Sequence, residues 1–158
     1  MVSYLDDVEL TSNIEKAEAE IKQLEHLILV SLKYTRTVDM LKEVVENLIE
    51  TYEFIILVLL EYLVDIKKII EIPESVNQKC QTVKENIKLG GIGEHIDLYL
   101  RMRRILKTDY ISINEFRRHV AMKNIIDDKE MIINIDTVTE HYNEIKELFK
   151  RVEELVQK

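Results

Sequence analysis

The chain has 158 residues, of which 46% are hydrophobic and 33% charged, and its formal net charge is -8. This mixture excludes a disordered tail, and a single cysteine excludes a disulfide scaffold. The three glycines and one proline are too few for the many tight turns of an all-β fold. Composition therefore favours helices.

The most apolar stretch of the chain, Phe54–Val64, has 11 residues and contains Glu61. A membrane-spanning helix needs about 20 residues, so this stretch predicts a central core helix instead. The sequence starts without a basic segment followed by an apolar run, which argues against a secretory signal. We therefore predict a soluble cytoplasmic protein with no membrane partner.

Residue usage is biased towards a few types, with 22 Ile, 21 Glu and 15 Lys but only four Gln. Enrichment in Lys and Glu with few amides is typical of proteins from hyperthermophiles. An AT-rich genome, whose codons favour Ile and Lys, explains the same bias. A thermophilic origin is thus one of two interpretations.

Apolar residues at helical spacing predict most of the secondary structure. Ser12 and Glu15 stand at capping-box spacing at the start of the first helix. The second helix, which Pro73 is expected to end, is apolar on every side in its middle and should be enclosed by several neighbours. The predicted helices run from Ser12 to Lys33–Arg36, from Thr37 to Ile70, from Glu74 to Lys88, from Glu94 to Lys107, and onwards from Asp136 or Thr137.

The segment between the fourth and the last helix contains two further signals. Ser112 and Glu115 repeat the capping-box spacing, which predicts a short helix starting at Ser112. Asp127 and Asp128 separate two isoleucine-rich runs, which predicts a small β-hairpin near residues 124–135.

These elements together predict an all-α fold in a single domain over residues 1–158. It is a bundle of five or six helices with long antiparallel central helices, and the hairpin is its one candidate for β-structure. The second helix is longer than a compact domain of this mass needs, so we expect a homodimer through the long helices.

The charges along the chain are distributed unevenly. Residues 101–123 carry a formal charge of +5 against -13 for the rest, and five of the seven arginines lie between positions 101 and 118. Such a segment predicts an anionic partner, RNA or a nucleotide, because guanidinium groups match phosphate oxygens in pairs. Alternatively, the arginines pair with acidic helices of the same fold or of a second subunit. The candidate phosphate contacts are Arg101, Arg104, Arg117, Arg118 and Lys123, with Tyr110 as a residue on which a base stacks.

His119 is the best catalytic candidate among the four histidines. Histidine exchanges protons near neutral pH, and Glu115, one helical turn earlier, would orient its ring. The alternative is that a histidine beside two arginines is a surface or interface residue. No metal or cofactor is predicted.

The order of the helices and two local runs, Leu98–Arg104 and Asn114–His119, resemble the HEPN superfamily over roughly Asn13–Val156. Members of that superfamily are small helical bundles, usually dimeric, and many are ribonucleases of prokaryotic toxin–antitoxin and defence systems. Their catalytic signature is an Arg followed by four to six residues and then His. Here Ser, Ile and Asn occupy positions 112–114 before His119. The resemblance therefore implies a degenerate, inactive relative.

Three functions are consistent with these patterns. The first is non-catalytic binding of RNA or nucleotide phosphates through residues 101–123. The second is a dimeric protein-interaction module of a toxin–antitoxin or defence system, with a protein partner and no nucleic-acid contact. The third is a metal-independent ribonuclease that uses His119.

Overall fold

A computed structural model describes residues 12–157, and within them the chain forms five helices and three strands. Helix α1 (Asn13–His26) continues through a π-helical turn (Leu27–Ser31) into a last α-helical turn (Leu32–Tyr34). The other elements are α2 (Val38–Asp65), α3 (Val76–Asn86), α4 (Ile92–Lys107), β1 (Tyr110–Ile113), β2 (Ala121–Ile126), β3 (Lys129–Asn134) and α5 (Ile135–Val156).

The predicted all-α fold class is wrong, because residues 110–134 contain a three-stranded antiparallel sheet in the order β1-β2-β3. Strands β2 and β3 form a hairpin at the place where one was predicted, near residues 124–135. Asp127 and Asp128 join them with left-handed φ angles of 53° and 64°, as in the tight turns that match the twist of paired strands. The protein is mainly, but not purely, helical.

The short helix predicted from Ser112 is also wrong. Residues Tyr110–Ile113 are extended and pair with β2, with Ile111 opposite Lys123 and Ile113 opposite Ala121. The capping-box spacing is a local signal, and pairing with a strand further along the chain outweighs it. Glu115 consequently lies in the connection between β1 and β2, residues 114–120, which we call the β1–β2 loop.

Helices α1 and α2 form an antiparallel pair. The side-chain amide of Asn13, at the start of α1, donates to Glu61 near the end of α2 at 2.6 Å. Halfway along, the amide of Asn47 donates to Glu20 at 2.9 Å. The start of α1 follows the prediction, since the Ser12 hydroxyl accepts a hydrogen bond from a backbone N–H in the first turn.

The middle of α2 is the centre of the core, as the sequence predicts. Ile55, Leu59 and Leu60 are at most 1% exposed, and the other four helices all contact α2. Apolar residues on every side of this segment therefore have neighbours to bury them. Among residues 12–157 no helix is both long and apolar enough to cross a membrane.

Helix α2 ends at Asp65, earlier than the predicted Ile70. The chain turns at Lys67, whose φ is 63°, and Ile70 is 96% exposed. Ile69 and Ile72 instead pack against the core from the connection that follows α2, so tertiary packing outweighs the local helical pattern here. Pro73 lies in the connection, and Ser75 caps the start of α3.

Polar side chains inside the helical body, meaning helices α1–α5, pair with one another. The hydroxyl of Tyr52 lies 2.7 Å from Nδ1 of His95, and the hydroxyl of Tyr99 donates to Glu53 at 2.8 Å. Burial lowers the pKa of His95 and raises the pKa of Tyr52. Both directions favour the neutral forms, which suit a partly buried hydrogen bond.

Candidate nucleic-acid interface

The β1–β2 loop is attached to the turn between α1 and α2. The carboxylate of Glu115 accepts a hydrogen bond from the N–H of Val38, with N···O distances of 3.2 and 3.3 Å. The N–H of Phe116 donates to the carbonyl of Arg36 at 2.6 Å. Val38 is the first residue of α2, so the charge of Glu115 also meets the positive end of the helix dipole. These contacts bring the basic residues of the loop to the α1–α2 turn.

A groove of about 420 Å³ lies between this loop, the end of α1 and the start of α5. One wall is apolar and belongs to the π-helical turn, with Ile28 and Leu29. We call this site the basic groove after four of its lining residues, Lys33, Arg36, Arg118 and His119.

The start of α5 forms another wall of the basic groove. Asn134 and Thr137 make reciprocal hydrogen bonds of 2.8 Å, a capping box that begins the helix at Ile135 rather than at the predicted Asp136 or Thr137. Asn134, Ile135 and Asp136 line the groove. The positive end of the helix dipole favours an anion there, and the carboxylate of Asp136 opposes it.

The cations of the basic groove form no salt bridges within the part of the chain that the structure describes. Within residues 12–157, no carboxylate oxygen lies within 4.0 Å of the charged nitrogens of Lys33, Arg36 or Arg118. Nε of Arg36 is buried and has no hydrogen-bond partner in that part of the chain. A buried donor left unpaired costs about 1–3 kcal/mol. Three cations against one lining carboxylate make the groove electropositive.

Two of the predicted phosphate contacts pair within the fold instead. The guanidinium of Arg104 donates two hydrogen bonds to Asp127, at 2.9 and 3.0 Å, and these bonds lower the pKa of the Asp127 carboxyl. The ammonium of Lys123 lies 2.8 Å from Glu130. Both residues therefore pair within the chain, but with the β2–β3 hairpin and not with the acidic helices that the alternative interpretation named.

The other predicted contacts are dispersed. Arg101 lies exposed on α4 and Arg117 lies exposed in the β1–β2 loop, and neither lines the basic groove. Tyr110 lines a second groove, of about 370 Å³, where the ammonium of Lys42 lies 5.2 Å from the centre of its ring. Of the seven predicted site residues, the basic groove therefore brings together Arg118 and His119.

Glu115 does not orient His119 as predicted. Its carboxylate is engaged by the N–H of Val38, and the backbone carbonyl of His119 accepts a hydrogen bond of 3.4 Å from the side chain of Asn114. The ring of His119 is hydrogen-bonded to no side chain among residues 12–157. It is an exposed residue at the groove, which matches the alternative interpretation.

Sequence reasoning missed Lys33, Arg36 and Phe116. Arg36 is the one arginine before position 101, so it lies outside residues 101–123, the segment from which the phosphate contacts were predicted. Arg36 lies in the short connection between two long predicted helices. Exposed charged residues are common in such connections, so this position does not by itself indicate a binding site. The contact of Arg36 with the β1–β2 loop depends on tertiary structure.

Comparison of the chain with models of known protein families, with curated proteins and with solved structures finds no match. The resemblance to the HEPN superfamily is neither supported nor opposed by these comparisons and stays a prediction. The site therefore has to be interpreted from its own geometry.

Proposed function

We propose that the protein binds phosphates of a nucleic acid in the basic groove without cleaving them. One observation carries this proposal: Lys33, Arg36 and Arg118, from two distant parts of the chain, line one groove and have no carboxylate within 4.0 Å in residues 12–157. Arginine forks bind two phosphate oxygens at once, and a lysine adds a compact point charge.

The overall charge supports a localised binding surface. The chain carries a formal charge of -8, so most of its surface repels a polyanion while the basic groove attracts one. Binding then rests on a small number of phosphate contacts. Each contact releases condensed counterions, so affinity falls as the salt concentration rises.

Binding without cleavage is supported by the surroundings of His119. Acid–base cleavage needs a group positioned to move a proton together with the histidine. The candidate partner, Glu115, accepts a hydrogen bond from α2 instead. Incubation of the pure protein with RNA should accordingly leave the RNA intact, and cleavage that disappears in His119→Ala would establish a ribonuclease instead.

The test measures the affinity of a labelled RNA oligonucleotide by fluorescence anisotropy over a series of salt concentrations. The double variant Lys33→Gln/Arg118→Gln should bind more weakly at low salt. Its slope of log affinity against log salt should be shallower by about 1.4, because each phosphate contact on a single strand contributes about 0.7.

The matched control is Arg104→Gln, which also removes an exposed arginine, but one that Asp127 already pairs. It should leave the slope unchanged. Wild-type protein that shows no salt-dependent binding, or a control that weakens binding as much as the double variant, would overturn the phosphate-binding proposal.

A second candidate, a protein-interaction module, is favoured by the outer face of the sheet. Ile111 and Ile132 both lie opposite Lys123, and Ile125 is two residues further along β2, so the three isoleucines share one face. They are 59%, 45% and 57% exposed, and adjoining exposed apolar residues mark interaction surfaces. If Ile111→Gln/Ile125→Gln changes the mass measured by sedimentation while Lys33→Gln/Arg118→Gln leaves RNA affinity unchanged, the outer face of the sheet is a protein interface and the basic groove does not bind RNA.

A further inference from the structure

The exposure and the backbone conformation of Phe116 are both unfavourable for the stability of the fold. Its side chain is 79% exposed, although burial of a phenylalanine contributes about 1.5–3 kcal/mol. Its backbone is left-handed, with φ of 65°, a conformation that costs a residue with a side chain about 1 kcal/mol or more. Both features disfavour this residue in this place unless the ring has another partner.

The strained backbone is held by several contacts rather than being free to relax. Next to it, Glu115 accepts a hydrogen bond from the N–H of Val38, and the N–H of Phe116 itself donates to the carbonyl of Arg36. Within the loop, the N–H of Arg117 donates to the carbonyl of Asn114 at 3.0 Å. Strain maintained by such contacts is typical of ligand-binding segments.

The contact between Phe116 and Arg36 places the loop backbone beside the basic groove. Arg36 lines that groove, and Phe116, which is not itself a lining residue, is hydrogen-bonded to it through the backbone. Exposed Arg117, Arg118 and His119 follow it in the chain. Proteins that bind single strands combine exposed aromatic rings, on which bases stack, with cations that hold the phosphates.

We propose that Phe116 stacks on an unpaired base of a single-stranded nucleic acid whose phosphates lie in the basic groove, an inference that rests on the phosphate binding proposed above. Stacking requires an exposed base face, which a duplex conceals in its interior. The ligand class is therefore single-stranded RNA or DNA rather than duplex.

Two comparisons within the molecule favour Phe116 for this role. The ring of Tyr110, the predicted stacking residue, already has the ammonium of Lys42 over it, and the ring of Tyr99 is 2% exposed.

The experiment uses oligonucleotides of one sequence, as single-stranded RNA, as single-stranded DNA and as a DNA duplex, each with a single 2-aminopurine. Stacking on a ring quenches the fluorescence of this base analogue. Phe116→Ala should weaken single-strand binding by about 5- to 150-fold and abolish the quench. It should leave duplex affinity and the salt slope unchanged, and Phe116→Tyr should restore both affinity and quench.

Because Phe116 is exposed, its replacement should not unfold the protein, and an unchanged urea midpoint verifies this. Equal single-strand affinity for Phe116→Ala and wild type, with salt-dependent binding intact, would overturn the stacking role and leave the proposed function standing. Wild-type protein that binds neither single strands nor duplex would overturn both. A change in sedimentation mass without a change in affinity would assign the ring to a protein contact. The RNA and DNA arms show which backbone is preferred.

Discussion

The helical body and the sheet-and-loop region, residues 110–134, differ in where their side chains find partners. In the body, Tyr52 pairs with His95 and Tyr99 pairs with Glu53, and the apolar residues of α2 are almost fully buried. In the sheet-and-loop region, the ring of Phe116 and two of the three strand isoleucines that share the outer face are more than half exposed.

This difference predicts that substitutions that change stability and substitutions that change the proposed binding lie in different parts of the molecule. The body holds most of the buried apolar core, so substitutions in that core should change the free energy of unfolding. In the sheet-and-loop region, Arg118 has no salt bridge within residues 12–157 and the ring of Phe116 is 79% exposed, so substitutions at these two positions should change the proposed binding more than stability. Three measurements, with expected effects of decreasing size, test whether stability and the proposed binding depend on different residues.

The largest effect is expected from Leu59→Ala in the centre of α2. Leu59 is 0% exposed, and truncation of a buried leucine costs about 2–5 kcal/mol. Urea denaturation should show that loss, while RNA affinity of the remaining folded protein stays unchanged. The matched variant is Ile125→Ala on the exposed sheet face, which should alter the free energy of unfolding by about 0.5 kcal/mol or less. Equal losses would show that the sheet face is part of the stabilising core.

An intermediate effect is expected from Glu115→Ala, because Glu115 connects the two regions. Loss of a group that caps a helix start costs about 0.5–2 kcal/mol, and here it would also release the loop that carries Phe116. Urea denaturation and oligonucleotide affinity should therefore both weaken. The exposed Glu18 of α1 provides the control variant, Glu18→Ala, which should change neither. A variant that loses stability but binds normally would show that the loop is held without this contact.

The smallest effect is expected from pH, and it belongs to the body. Burial lowers the pKa of His95 and of His141 below the ordinary value of 6.5. As the pH falls through 6.5, the unfolded chain takes up protons before the folded protein does, so the free energy of unfolding decreases towards lower pH. His95→Gln and His141→Gln should reduce this decrease between about pH 7 and pH 5.5, as followed by urea midpoints. His26→Gln, at an exposed position, serves as the control and should leave the pH dependence as it is.

The sequence was sufficient for the helices because their signals are local. The apolar residues of Phe54–Val64 need only their own spacing to predict a core helix, and the hydroxyl of Ser12 lies within a turn of the N–H that it caps. The Asp127-Asp128 turn is equally local, which is why the hairpin was predicted. The ends of α2 and α5 were misplaced by one to five residues, since packing and side-chain caps determine them.

The region around Ser112 could not be predicted in the same way. The spacing of Ser112 and Glu115 is that of a capping box, which commonly begins a helix. In the folded protein, however, Glu115 caps the start of α2, which is far away in sequence. Strand β1 exists because β2 lies beside it. The basic groove likewise joins Arg36 and Arg118, and no periodicity relates two residues so far apart. Charge clustering along the chain pointed to the β1–β2 loop, but of the seven predicted residues only Arg118 and His119 line the basic groove.

The π-helical turn in α1 affects the orientation of Lys33, which lines the basic groove. In it the N–H of Leu32 donates to the carbonyl of Leu27, five residues earlier, so the turn holds one residue more than an α-helical turn. Each residue of an α-helix adds about 100° of rotation about its axis. That additional residue sets the direction in which Lys33 points. Loss or gain of a single residue in this stretch would rotate Lys33 away from the basic groove, so the proposed phosphate binding depends on the length of α1 as well as on its residue types.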